Sequence, residues 1–420
     1  MTRHPQHRLH RIGVWLERAR GESTVIAAAR LFSSACALLV AIASARQLGP
    51  IGRGEIVFVI TVCVLGQELV SLGTNVSGRV KILQNAGVLI EDFLGLAIVL
   101  VAVQAALVAG VLVTVGSRWF ELDATVCAAG VGAGAAMFFA HMMLDASFAV
   151  RRTLETGVRD LLIGILPVVG VLIAVLAGRL SVSAVIVLTA LGYLSGGGYL
   201  WSVVRRGTGP IRFMPSRWGP ILRSGMPVLV GSFGQVVAFR TDRLFLGLFS
   251  TSAALGVYSV AATATELPRI VLIPATQVLA NRIATGDIST QNLRSLLTRL
   301  IAAYSILMAV VAVVAPSIFI PLLGGGFADA RDLVAVLALS ESLLAVFLLA
   351  TAVLTGLGQF RMLPIPAIVG MSVIVSANMF VVPTFGGTGA AWVRVAGFGS
   401  MAMLAALLMR HCIRFSNRSA

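Results

Sequence analysis

The stretch "RRGTGPIRFMPSRWGPILRS" (residues 205–224) is the longest polar interruption between two long apolar parts of the chain. It is basic, and its three prolines, Pro210, Pro215 and Pro220, disfavour a single continuous helix through the whole stretch. Six long apolar runs precede it and six follow it. The stretch therefore predicts a chain that folds as two lobes of six helices, joined by a linker.

The composition of the chain indicates a membrane protein. Hydrophobic residues make up 58% of the 420 residues, charged residues only 12%, and the mean hydropathy is +0.96. A spanning helix needs about twenty mostly apolar residues. We therefore predict an all-α polytopic membrane protein of about twelve transmembrane helices. The runs that meet this length are 24–45, 55–76, 89–115, 124–147, 159–177, 182–204, 225–248, 254–280, 298–322, 331–355, 363–383 and 389–409.

These runs divide the chain into five parts. A basic tail (1–23), with the helical apolar spacing of a short interfacial helix, precedes the first lobe. The predicted first lobe covers residues 24–204, the linker 205–224, the second lobe 225–409 and a C-terminal tail 410–420. The apolar run 24–45 follows a long basic tail and is itself too long for a signal peptide, so it is interpreted as a retained first span.

The arrangement of positive charges predicts the orientation in the membrane. Lys and Arg total 32 against 17 Asp and Glu, and this excess first suggests nucleic-acid binding. However, the basic residues lie in short segments between apolar runs: 22 on the side of the termini and 5 on the opposite side. By the positive-inside rule, both termini are cytoplasmic, in a bacterial-type inner (plasma) membrane. No nucleic-acid partner is expected.

Charged residues inside the seventh span are the main functional signal. In "GQVVAFRTDRLFLG" (residues 234–247) Arg240, Asp242 and Arg243 interrupt an apolar run, although each charge at a helix centre costs roughly 2.5–3.5 kcal/mol. A rise of 1.5 Å per residue places Arg240 about 22 Å into the membrane and Arg243 about 27 Å, near enough to the outer surface to snorkel. Arg240 and Arg243 share a face. Asp242 points elsewhere.

Other spans carry charges as well, and together they predict a cavity for an anionic head group. Arginine suits this role because its planar guanidinium matches phosphate oxygens. The alternative is that each arginine pairs with a nearby acid, as Arg269 would with Glu266. The arginines predicted to bind substrate are Arg30, Arg240, Arg243, Arg269 and Arg394. The acids predicted to balance charge or to couple transport to H⁺ or Na⁺ are Glu68, Asp242, Glu266 and Glu341. No cofactor, metal site or catalytic residue is expected.

Several motifs resemble a known family over nearly the whole chain. They are "ARQLGPIGRGEI" after the first span, "RTDRLFLGLFSTSAALGVYSVAATATELP" across spans seven and eight, "LTGLGQFRM" after span ten and "FGGTGAAWVR" before span twelve. Their order and spacing are similar to the polysaccharide transporter (Wzx-like flippase) branch of the multidrug/oligosaccharidyl-lipid/polysaccharide (MOP) exporter superfamily.

The resemblance implies an exporter fold of two six-helix lobes, in which spans one, two, seven and eight line a central cavity. It further implies that polyprenyl-(di)phosphate-linked oligosaccharides are flipped from the inner to the outer leaflet by alternating access. The arginines would then carry the phosphate, while Gln67 and Gln235 meet sugar hydroxyls. Arg394, on span twelve, lies outside this set of spans. Membrane lipids and polysaccharide polymerase or glycosyltransferase proteins are the expected partners.

Three other functions remain open alternatives. A MATE-type ion-coupled drug or metabolite exporter shares the fold, but such exporters favour acidic cavities. A membrane glycosyltransferase or polymerase is disfavoured because no loop on the outer side exceeds about ten residues. A non-transporting scaffold of a polysaccharide assembly complex is compatible with the sequence.

Overall fold

The computed structural model describes residues 6–84, 87–285 and 290–416, and all regular structure in these ranges is helical. Short π-helical turns follow α3 and α11, and short 3₁₀ turns flank α12. The helices are α1 (Gln6–Ser71), α2 (Thr74–Leu83), α3 (Ile90–Val111), α4 (Ser117–Trp119), α5 (Ala124–Ala149), α6 (Glu155–Leu176), α7 (Val182–Arg205), α8 (Pro215–Phe249), α9 (Ser252–Glu266), α10 (Arg269–Ala284), α11 (Thr290–Val314), α12 (Ala330–Gly356) and α13 (Pro364–Ser416).

These helices account for the twelve predicted spans. In the described ranges, eight helices are long and apolar enough to cross a membrane, and α8, bent by 48°, is a ninth. Two of them, α1 and α13, contain two spans each, because each breaks at a glycine with positive φ: Gly49 (φ 68°) and Gly386 (φ 53°). Glycine adopts this conformation without the steric cost of a Cβ atom. Helices α9 and α10 together form span eight. The all-α polytopic fold class is therefore confirmed.

Span eight, predicted over the apolar run 254–280, is interrupted in the structure. Helix α9 ends at Glu266 and α10 begins at Arg269. Pro268 lies between them and has no backbone N–H to donate to the preceding turn. A broken helix inside a membrane is tolerated where the backbone is buried in protein or lines a cavity. The break sets Glu266 and Arg269 on either side of a two-residue turn, Leu267 and Pro268, whose backbone angles stay in the right-handed helical region.

The segment predicted as a linker packs against the first lobe. The backbone N–H of Gly209 donates to Glu91 Oε1 at 2.7 Å, and Arg217 Nη1 donates to Asp92 Oδ2 at 3.3 Å. The indole N–H of Trp218 donates to the carbonyl oxygen of Asp92 at 3.1 Å. Helix α8 already starts at Pro215, well before residue 225, because proline is favoured in the first turn of a helix. The segment is therefore attached to the first lobe.

The predicted tails continue the terminal helices. Helix α1 begins at Gln6, so the backbone of the predicted interfacial segment is helical and continuous with span one. Helix α13 continues to Ser416, past the predicted boundary at residue 409. Residues 1–5 and 417–420 lie outside the described residues.

The two lobes meet backbone to backbone at both ends of the bundle. On the side opposite the linker, a Cβ atom added to Gly54 would lie 1.8 Å from the carbonyl oxygen of Ser252, and one added to Gly256 would lie 1.9 Å from that of Pro50. On the linker side, a Cβ atom at Gly225 would lie 2.3 Å from the carbonyl oxygen of Leu72. Only glycine permits these approaches, so both contacts between the lobes depend on it.

Candidate functional site

A cavity of about 510 Å³ lies between the lobes. Its walls come from both halves of α1, from α8 and from the broken span eight, which are the spans one, two, seven and eight that the family resemblance implied. We call it the central cavity. Its lining residues are Ser34, Ala37, Leu38, Ala41, Arg53, Ile56, Val57, Ile60, Thr61, Arg240, Arg243, Thr263, Glu266, Leu267 and Ile270.

Arg240 lines the central cavity without an ion-pair partner. No hydrogen bond or salt bridge joins its guanidinium group to another side chain in the described ranges, although Arg243 and Glu266 are among its charged neighbours. An unpaired charge within the membrane is unfavourable unless it faces water or an ionic ligand. Its position in the cavity is compatible with the predicted role as a substrate ligand, and that role stays a prediction.

Arg53 is a cavity residue that the sequence analysis missed. Its Nε atom is buried and has no hydrogen-bond partner, and no ion pair involves the residue among those described. The sequence count placed Arg53 in the loop between spans one and two. In the structure helix resumes directly after Gly49, so Arg53 already belongs to span two. The Gly49–Pro50 pair was the missed signal, because proline favours the first turn of a helix. A helix that starts there places Arg53 inside span two.

Arg243 is buried against an acid of the neighbouring span. Its Nη2 atom donates to Glu266 Oε1 at 2.7 Å, and the residue is only 6% exposed. The alternative that Arg243 snorkels to the outer surface is therefore wrong. The physical reason is that Glu266, at the end of α9, offers a closer counter-charge than the aqueous interface. Arg243 still lines the central cavity, beside Arg240.

Arg394 is the centre of a buried ion-pair network in the second lobe. Its guanidinium group donates to Asp242 Oδ2 at 3.0 Å, Glu266 Oε1 at 2.9 Å and Glu341 Oε1 at 2.6 Å. Tyr258 Oη donates to the same Asp242 oxygen at 2.5 Å. The network joins α8, α9, α12 and α13. Arg394 is 1% exposed and does not line the central cavity, which fits its position outside the cavity spans.

Arg269 belongs to the same network. It donates from Nε to Glu341 Oε2 at 2.5 Å and from Nη2 to Glu341 Oε1. The predicted pairing of Arg269 with Glu266 is weak, because the closest N–O distance is 3.9 Å. Its guanidinium carbon also lies 5.0 Å from the centre of the Phe239 ring, a cation–π contact. Glu341 thus finds its cations on other helices.

The ion-pair network is electrically neutral, whereas the central cavity is not. Three arginines, Arg243, Arg269 and Arg394, balance the three carboxylates of the network, which are Asp242, Glu266 and Glu341. The cationic charge of Arg53 and Arg240 is not balanced by this set. The central cavity therefore presents a net positive surface.

The remaining predicted residues lie outside the central cavity. Arg30 is 59% exposed at its side chain and lies 3.5 Å from Asp160 of α6. Gln67 and Gln235 are half-buried and are not part of the cavity wall. Glu68 lies beside His141 of the first lobe and Ser232 of the second. Their predicted roles stay predictions.

Comparisons with known proteins agree with this architecture. The family model described as polysaccharide biosynthesis protein matches residues 21–284. No curated protein matches the chain.

Solved structures show the same fold. An inward-facing multidrug resistance MATE family transporter of the MOP superfamily has a TM-score of 0.70 at 13% identity, over 94% of this chain and 99% of that one. The lipid II flippase MurJ, in an inward closed conformation, has a TM-score of 0.71 at 9% identity, over 92% and 87%. A MOP superfamily transporter from Pyrococcus furiosus, described by the reverse polarity of its binding pocket, has a TM-score of 0.56 at 13% identity, over 94% and 95%.

Proposed function

The chain belongs to the polysaccharide biosynthesis protein family, and on that premise we propose that it flips a polyprenyl-(di)phosphate-linked oligosaccharide from the inner to the outer leaflet of a plasma membrane. The lipid phosphate binds in the central cavity, the glycan travels with it, and the prenyl chain stays in the surrounding lipid. Both termini lie on the cytoplasmic side, where the substrate enters.

One observation carries this proposal: Arg53 and Arg240, which have no ion-pair partner among the described residues, line the same cavity from opposite lobes. Two such charges would repel each other and lose hydration in a membrane unless a polyanion joined them. A phosphate or diphosphate group provides several oxygens for the planar donors of two guanidinium groups. A ligand held from both lobes also senses their relative movement, as alternating access requires.

The charge of the cavity distinguishes this function from export of cationic drugs. Among the described residues that line it, the only acid is Glu266, which already pairs with Arg243 and Arg394. Like charges repel most strongly in a region of low dielectric constant, so a cationic ligand is disfavoured there. The MATE-type exporter is therefore the weaker alternative on this observation.

During alternating access, the linker segment moves together with the first lobe. The contacts of Asp92 with Arg217 and Trp218 fix that segment, and the 48° bend of α8 between Val230 and Ser232 follows it. The lobes rock about this bend, opening first the linker side and then the opposite side. Both glycine contacts are made in this structure, so each side opens when the contact at its own end separates.

The proposal is tested by reconstitution into proteoliposomes with a fluorescent prenyl-diphosphate-linked oligosaccharide. Flipping is measured as the fraction of label that a membrane-impermeant quencher reaches. We expect protein-dependent flipping that Arg240→Gln reduces at least tenfold and that Arg361→Gln, a change at an exposed residue, leaves intact. Failure to flip any phosphate-linked glycan would favour the scaffold alternative, and transport of a cationic dye instead would favour the MATE-type exporter.

A further inference from the structure

A second cavity, of about 350 Å³, adjoins the central cavity inside the first lobe. It lies between both halves of α1 and helices α5, α6 and α7, and it shares wall residues with the central cavity, among them Ser34 and Arg53. We call it the side chamber. Its polar residues are Ser33, Ser34, Arg53, Thr189 and Tyr193, set in an otherwise apolar wall.

The four hydroxyl groups of the side chamber have unused hydrogen-bonding capacity. Ser34 donates to the carbonyl oxygen of Arg30 at 2.9 Å and Thr189 to that of Val185 at 2.8 Å, so each keeps its acceptor lone pairs. Within the described ranges, the hydroxyls of Ser33 and Tyr193 make no hydrogen bond. Both residues are half-buried, so these two hydroxyls are open to the chamber. Such a cluster points to a ligand rich in hydroxyl groups.

Arg53 connects the side chamber with the phosphate site. The same guanidinium group lines both cavities, and its buried Nε atom is unpaired. From the other direction, Arg240 is among the charged neighbours of Tyr193. A phosphate bound between Arg53 and Arg240 thus has its ester-linked group at the mouth of the side chamber.

We propose that the side chamber binds the sugar that is attached directly to the lipid phosphate. This inference rests on the proposed flippase function. The ligand is a pyranose of the hexose or N-acetylhexosamine class, whose hydroxyls bond to Ser33, Thr189 and Tyr193. The Tyr193 ring supplies an apolar surface for the sugar C–H groups. A volume of about 350 Å³ lies at the small end of the range for ligand sites, about 300–1,000 Å³, so the chamber takes the first sugar only.

A chamber that hydrogen-bonds a sugar discriminates in a particular way. A site built around hydroxyl partners rejects a ligand that lacks them, because its own polar groups are then left unpaired. The protein should therefore distinguish a glycosylated lipid phosphate from the bare carrier lipid. Transport of the bare carrier lipid would deliver no sugar to the outer leaflet. The side chamber prevents this by favouring the glycosylated lipid.

The test measures binding of two kinds of probe to the full-length protein in nanodiscs. One is farnesyl diphosphate; the other is a panel of farnesyl diphosphates that each carry one hexose or N-acetylhexosamine. We expect at least one glycosylated probe to bind tenfold or more tightly than farnesyl diphosphate. Tyr193→Phe, combined with Thr189→Val, should remove most of that difference and leave farnesyl diphosphate binding within about twofold. Tyr199→Phe, the same loss of a hydroxyl on the same helix but outside the chamber, should change neither.

The outcomes separate the inference from the function on which it rests. If no glycosylated probe binds more tightly than farnesyl diphosphate, or if the Tyr193 and Thr189 changes leave the difference intact, the side chamber is not the sugar site, while the phosphate site stands. If farnesyl diphosphate itself binds wild type and Arg240→Gln equally, the proposed function fails as well. A thermal unfolding scan shows whether each variant is folded. If the double variant is unfolded, Tyr193→Phe alone is tested in its place.

Discussion

Arg243 and Glu266 form an ion pair of 2.7 Å on the wall of the central cavity, whereas Arg240, three residues earlier on the same helix face, has no such partner among the described residues. The two arginines are thus equivalent in sequence spacing but not in electrostatic environment. Arg243 is part of a neutral network that holds the second lobe together. The charge of Arg240 is therefore free to bind an anionic ligand.

Arg240→Gln should reduce flipping at least tenfold, because a charge-assisted hydrogen bond to phosphate contributes about 1.5–3 kcal/mol and tenfold corresponds to about 1.4 kcal/mol. The thermal stability of the purified protein should stay the same or rise, since the variant removes an unpaired cation from the membrane. Arg243→Gln should reduce flipping less. Transport and unfolding temperature are measured on the same preparations. An Arg240→Gln protein that transports like wild type would remove this residue from the site.

Arg53→Gln should impair transport as strongly as Arg240→Gln. The two arginines approach the cavity from different lobes, and a phosphate held by only one of them loses its link to the other lobe. Arg46→Gln is the matched control, because Arg46 lies in the same sequence segment but is exposed. The measurement is the flipping assay at several substrate concentrations. Equal flipping rates for the Arg53 and Arg46 variants would show that Arg53 does not take part in substrate binding.

Arg394→Gln should destabilise the protein rather than change its substrate preference. The substitution leaves Asp242, Glu266 and Glu341 with less positive charge in a buried site, and breaking such a site costs about 3–5 kcal/mol. We expect a clearly lower unfolding temperature in detergent and less folded protein in the membrane. Arg361→Gln provides the exposed-arginine control. Normal stability combined with lost transport would instead support the predicted role of Arg394 as a substrate ligand.

Gly54→Ala and Gly225→Ala should open opposite ends of the central cavity. A methyl group at Gly54 would collide with the carbonyl oxygen of Ser252, and one at Gly225 with that of Leu72, so the lobes must separate at that end. The assay places a cysteine at Ala41, on the cavity wall, in a chain whose four native cysteines are replaced. A membrane-impermeant maleimide then labels it from one side.

The two variants should differ in the side from which labelling becomes faster. Gly54→Ala should accelerate labelling from the side opposite the linker, and Gly225→Ala from the linker side. Gly110→Ala is the control, because a Cβ atom there meets no other atom within 4 Å. Labelling that is unchanged in both variants, or faster from the same side in both, would contradict closure of the cavity by these glycines.

The spans, the fold class and the unusual charges within span seven were all open to prediction from sequence. Hydropathy is a property of each local run, and the backbone in lipid must form helices wherever a run is long enough to cross. The break in span eight was harder to predict, although Pro268 lies at its position, because prolines in membrane helices often cause only a bend. The attachment of the linker to Asp92 required contacts between segments that are far apart in sequence.

The site shows the same division. An arginine within an apolar run is visible as an unusual residue, so Arg240, Arg243, Arg269 and Arg394 were all identified. Their partners were not visible: Glu341 lies 72 residues from Arg269 and 53 from Arg394. Arg53 was missed because a short polar segment looks like a loop, whereas the structure turns the chain at Gly49 alone and leaves Arg53 inside the next span.

By itself the sequence determined that this chain crosses a membrane about twelve times as two six-helix lobes and carries charges that the membrane does not tolerate without a function or a partner. Only the tertiary structure decided which charges are satisfied. Pairing depends on helices that meet across the lobe. In the described part of the chain Arg394 pairs with three acids, whereas Arg240 and Arg53 face a common cavity without an ion-pair partner. A charge is costly wherever it is buried, but its counter-ion is a matter of distance in space, which local sequence does not specify.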